Sequence, residues 1–96
     1  MTVINKWQTI WSNSKLAGAE GKRLEEETML KRAIWLAQKE PGVTDLQLGI
    51  MLLDLVDCLE AQGTEDEVEK YYMQALGILI ESAKRMGVVP TQSNGR

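Results

Sequence analysis

Hydrophobic and polar positions divide the chain at three clusters of Gly and Pro, near residues 18–21, 41–42 and 87–95. The segments between them carry helical periodicity and no useful run of period two. Across 65–86, Val68, Tyr72, Ala75, Leu76, Leu79, Ala83 and Met86 recur at spacings of three and four, one face of an amphipathic helix. Thr64 and Glu67 fit a capping box, and Glu65 and Asp66 put negative charge at the positive end of the dipole. Lys84 and Arg85 fall in the last turn, Gly87 suits a left-handed cap, and Pro90 forbids continuation.

Residues 45–61 read differently. Leu46, Leu48, Ile50, Met51, Leu52, Leu53, Leu55, Val56, Cys58 and Leu59 point nearly all round, leaving Gln47, Asp54, Asp57 and Ala61 as a narrow stripe. A helix apolar on most sides is sandwiched between neighbours, so this one is the expected centre of the fold. Thr44 and Gln47 form a second capping box, with Val43 and Leu48 spaced for a hydrophobic staple. Upstream, 22–39 places Leu24, Met29, Leu30, Ala33, Ile34, Trp35 and Ala37 at helical spacing, and Glu40-Pro41-Gly42 ends it. The first segment, 3–17, offers Val3, Ile4, Trp7, Ile10, Trp11 and Leu16, but Ser12-Asn13-Ser14 has poor helix propensity and predicts an early end or fraying there.

The chain repeats itself. Shifted by 42 positions, Ala19-Glu20-Gly21 falls on Ala61-Gln62-Gly63, Leu30 on Tyr72, Ala33 on Ala75, Ile34 on Leu76 and Leu36 on Ile78. Ile10 and Trp11 fall on Leu52 and Leu53, whereas Trp7 meets only Gly49. Two helical hairpins follow, unit one over about 3–40 and unit two over about 44–86. Together they predict one all-α domain over 1–87, with 88–96 as a flexible tail. The stretch AQGTEDEVEKYYMQALGI resembles a tetratricopeptide repeat of the 42-residue kind found in kinesin light chains. Gly63 stands at the turn glycine, Tyr72 at the aromatic position and Ala75-Leu76 at the Ala-Leu pair; Val68 and Val56 are larger than the usual small residues. The loop EPGVTD is similar to that family's inter-repeat linker. The resemblance implies a short right-handed array of two hairpins; a plain four-helix bundle is the alternative built from the same faces.

Composition narrows the chemistry. With 96 residues, one domain is the expectation, and a hydrophobic share of 44% suits a folded one. The absence of His removes imidazole bases and ligands, and one Cys excludes an intrachain disulfide or thiolate zinc cage. A net charge of −3 without a basic block argues against nucleic acid or anionic lipid. No run of 18 apolar residues suggests a membrane span, MTVINKWQTIW lacks a signal-peptide pattern, and a lone Cys suits a reducing cytoplasm. Asp54, Asp57 and nearby Glu60 share a helix face, and Glu25-Glu26-Glu27 is an acidic run, but neither matches a catalytic or metal-binding pattern. Cys58 reads as a small buried hydrophobe, the Trp residues as core with Trp11 the exception, Tyr72 as core and Tyr71 as an edge residue.

The expected function is therefore protein–protein interaction, as a small cytoplasmic adaptor or scaffold without cofactor, metal or catalytic residues. The resemblance implies a concave groove lined by the first helix of each unit: Gln8, Trp11, Ser12 and Lys15, then Ile50, Leu53, Asp54 and Asp57. The two Asp residues stand where carboxylate-gripping family members use basic residues, so a basic segment with an apolar anchor near Trp11 is the expected ligand. Two units also leave Tyr71, Ile78 and Ile80 at an open end, to be covered either by the N-terminal helix folding back as a cap or, as expected here, by a second chain in a homodimer. The alternative function is a small acidic, chaperone-like or regulatory four-helix homodimer that sequesters one client.

Overall fold

A computed structural model describes residues 5–87. Among them are four helices and no strand: α1 (Lys6–Ala19), α2 (Arg23–Ala37), α3 (Asp45–Gln62) and α4 (Glu65–Arg85). Each packs on the next, so α1/α2 and α3/α4 are hairpins joined through the contact of α2 with α3. The expected tail, together with Val3, Ile4 and Pro90, lies outside the described residues.

The caps explain the boundaries. The Gln47 N–H donates to Thr44 Oγ1 (3.1 Å) while the Thr44 N–H donates to Gln47 Oε1 (3.0 Å), completing the reciprocal box that starts α3. Both hairpin turns close on a left-handed glycine, Gly21 at φ +78° and Gly63 at φ +81°, a conformation costly for a residue with a Cβ. Those glycines are the pair superposed by the 42-residue shift. Gly87 at φ +81° follows α4 in the same way. As expected, α3 is the buried centre, contributing Met51, Leu52, Leu55, Val56, Cys58 and Leu59 to a core completed by Trp7, Ala17, Leu30, Ala33, Ile34, Ala37 and Ala75.

The mismatch of Trp7 with Gly49 also has a structural reading. A Cβ at Gly49 would lie 2.6 Å from Leu79 Cδ2, so Leu79 occupies the space that a side chain on α3 would need. In unit one the equivalent residues are Trp7 and Ala37, both buried. Large-against-small in one hairpin becomes small-against-large in the other, and both fill the space between helices.

Four expectations are corrected. First, α1 starts at Lys6 and runs unbroken through Ser12-Asn13-Ser14 to Ala19. Ser14 is buried and its hydroxyl donates to the Trp11 carbonyl (2.5 Å), so it is satisfied within the helix rather than competing with it. Second, Thr64 and Glu67 form no capping box. Thr64 Oγ1 donates back to the Leu59 carbonyl (3.3 Å), and Glu67 is drawn to Lys31 (3.0 Å). Third, the tyrosines exchange roles: Tyr71 packs on the core and Tyr72 is 45% exposed. The apolar face of α4 is wider than its neighbours can cover, and the fully buried Ala75 marks its line of closest approach. Fourth, Trp35 is 55% exposed rather than core, its ring capped by the Lys39 ammonium at 3.9 Å.

Away from the core, Lys31 ties three helices together. Its ammonium bonds Glu27 (2.7 Å) on α2 and Glu67 (3.0 Å) on α4, and Gln62 of α3 donates to Glu27 (2.8 Å). The hydrogen bonds from Lys31 and then Gln62 hold the Glu27 carboxyl below its usual range. The bond to Glu27, foremost, raises the Lys31 pKa in turn.

Candidate interaction groove

Where α1 faces α3 across the two units, the Trp11 indole N–H donates to Asp54 Oδ2 at 2.8 Å. Lys15, one turn on, sits 4.7 Å from the centre of the Trp11 ring. Beside this pair opens a recess of about 340 Å³, lined by Ser14, Lys15, Gly18, Ala19, Glu26, Leu30, Asp54 and Asp57. Its walls therefore come from α1, α2 and α3. Three carboxylates face it against one ammonium, with Arg23 paired to Glu26 at 2.9 Å on the helix-start side. The recess is negative on balance, polar above, and floored by the buried Leu30.

Four of the eight residues expected in the groove, Trp11, Lys15, Asp54 and Asp57, are brought together here. The other four are placed elsewhere. Gln8 turns back to accept from the Asn5 N–H (3.3 Å) at the start of α1, so its amide serves the helix end. Ser12 is exposed, Ile50 is exposed, and Leu53 packs partly on the core. Sequence reasoning missed Ser14, Gly18, Ala19, Glu26 and Leu30. The available signal was Gly18, where a Cβ would fall 2.5 Å from a Glu26 carboxylate oxygen. Reading Glu26 only as part of the acidic run 25–27 hid its position beside Gly18 of α1.

At the other candidate surface, Tyr71 and Ile78 are partly buried against the core and only Ile80 of the expected trio is well exposed. Cys58 is buried, with its thiol pushed up to about 11, chiefly by burial and then by Glu26, which leaves it a poor nucleophile. Among the described residues no group of three or more acidic or thiol side chains is placed to hold a metal ion. No helix there is long and apolar enough to cross a membrane. Compared with protein-family models, with curated proteins and with solved structures, the chain matches none of them.

Proposed function

We propose that the protein is a small protein–protein interaction module of tetratricopeptide type, an adaptor rather than an enzyme, which receives a partner segment in the α1/α3 groove. The observation that carries this reading is the acidic recess bounded by Asp54, Asp57 and Glu26 beside the Trp11–Asp54 bond. Side chains from both units build it, so folding of the pair is what creates it. A Lys or Arg of the partner would meet the carboxylates, where a charge-assisted bond is stronger than a neutral one, and an apolar neighbour would lie along Trp11. Lys15 now partly neutralises the recess and would swing toward solvent when a second cation arrives.

The test is selection of displayed peptides on the wild-type protein and on Asp57→Lys, an exposed position whose replacement leaves the Trp11–Asp54 bond intact. Peptides combining Lys or Arg with an aromatic or aliphatic residue should be enriched by the wild type and lose about tenfold or more in affinity to the variant. Equal binding to both proteins would rule the groove out as the site.

A further inference from the structure

The 42-residue shift allows the two hairpins to be compared face by face. On α2, Leu30 and Ile34 are covered by α3 and buried. Their equivalents on α4, Tyr72 and Leu76, have no following helix among the described residues; Tyr72 is 45% exposed and Leu76 half-buried. Beside this stripe apolar side chains stand where unit one has polar ones: the part-exposed Lys31 has Met73 as its equivalent, 62% exposed, and the exposed Gln38 has Ile80, 41% exposed. Positions 72, 76 and 80 are successive turns of one stripe, with 73 beside it.

The two ends of the array are unlike. Exposed positions on α1 include Lys6, Thr9, Ser12, Asn13 and Lys15, with Leu16 the large apolar exception. Head-to-tail stacking of copies would set the α4 stripe against that mostly polar face, whereas a two-fold pairing sets it against itself. Charge favours the second arrangement. Along α4 the acids gather at the start, Glu65, Asp66, Glu67 and Glu69, and Lys84 and Arg85 stand in the last turn. In two antiparallel copies crossing at Leu76, Tyr72 comes level with the second copy's Ile80, and Glu69 with its residues 83–84. A parallel pairing would put like charges together at both ends.

We propose that the α4 stripe is the interface of an antiparallel homodimer, anchored by Tyr72, Leu76 and Ile80 and set in register by Glu69 against Lys84. The occupant of this face is a second copy of the chain, and the proposal is independent of the groove reading. It also moves the self-association surface away from Tyr71 and Ile78, which the core already uses.

Sedimentation of the full chain, followed from about 10 µM to about 1 mM at low salt, should show a monomer–dimer equilibrium that weakens as salt is added. Ile80→Glu, at an exposed position, should keep its helicity by circular dichroism and weaken the dimer about 100-fold, because a two-fold interface loses each contact twice. Lys84→Glu should weaken it about threefold or more, and Glu69→Lys with Lys84→Glu on the same chain should restore most of that loss. The proposal is overturned by a wild type that stays monomeric at about 1 mM, whatever then covers the stripe. It is equally overturned if Ile80→Glu associates as well as the wild type, or if the double charge exchange is no better than Lys84→Glu alone.

Discussion

Replacing Gly49 with Ala sets two well-understood effects against each other. Gly in a helix interior is disfavoured, so the substitution alone should stabilise α3 by about 1 kcal/mol. The added Cβ, however, would lie 2.6 Å from Leu79 Cδ2 and 2.8 Å from Leu79 Cγ. A terminal methyl can rotate away, but Cγ moves only if χ1 changes or α4 backs off from α3. Overpacking of this kind costs about 1–3 kcal/mol, so Gly49→Ala should be destabilising by about 1 kcal/mol net. Leu79→Ala should cost about 2 kcal/mol by itself, toward the low end for a Leu because the side chain is only partly buried. In that background the overlap is gone, and Gly49→Ala should now stabilise by about 1 kcal/mol. The double-mutant cycle therefore predicts a coupling of about 2 kcal/mol and, more tellingly, a change of sign. Urea denaturation followed by circular dichroism at one fixed protein concentration measures all four corners, with a constant m-value as the check. If Gly49→Ala stabilises the wild type, with no coupling to Leu79, the close approach of α3 and α4 at this glycine is wrong.

Two further predictions concern buried or bridging groups. Lys31→Met should cost about 1 kcal/mol, the pairs being part-exposed and so worth less than buried ones. Because the Glu27 pKa is lowered on folding, its share of stability is complete above the ordinary carboxylate range and lost as pH falls through the depressed value. Lys31→Met should accordingly flatten the acid limb of a melting-temperature profile, and an unchanged slope would disprove the link. The raised Lys31 pKa acts at the other limb: its contribution is full below the unfolded lysine range and declines as pH rises through and above it. Cys58, buried and with a thiol near 11, should react with an aromatic disulfide reagent at pH 8 about 100-fold more slowly in the native protein than in denaturant. Native labelling at the unfolded rate would show that α3 is not the shielded centre.

Much of the architecture was legible because the signals are local and redundant. The Thr44–Gln47 box, the Gly63 turn and the broad apolar pattern of α3 each point to the same helix; the box and the turn hold, and the apolar pattern is buried or partly buried except at Leu46 and Ile50, which stay exposed. The errors arise where a residue has two uses and the sequence shows one. Thr64 and Glu67 have the spacing of a box, but the Leu59 carbonyl and the Lys31 ammonium compete for them. Ser14 lowers helix propensity in the abstract, yet buried in α1 it has a carbonyl within reach. The recess shows a related limit. Trp11, Lys15, Asp54 and Asp57 were expected together from the family resemblance, whereas Glu26 enters from α2 only because Gly18 leaves it room. Sequence periodicity places a side chain on a face of its own helix; it does not measure how deeply a neighbour's side chain reaches.

The same limit explains why Tyr71 and Tyr72 were exchanged, and it gives the exchange a consequence. An apolar stripe as wide as that of α4 cannot identify which half meets the core, since both halves satisfy the spacing rule. Burial is decided by the next element, and for unit one that element is α3, which covers Leu30 and Ile34. Were unit two merely a copy with its neighbour removed, its outer half would gain nothing from Met73 and Ile80 where unit one has Lys31 and Gln38. Leaving large apolar side chains in water forgoes about 1.5–3 kcal/mol each, and patches of this kind favour association. Polar residues on the outer face of α1 close one end of the array, while apolar residues on α4 open the other. Unlike faces on α1 and α4 disfavour head-to-tail stacking of copies, and a two-fold pairing of the α4 stripe is therefore the self-association proposed above, to be decided by the sedimentation of the wild type and Ile80→Glu.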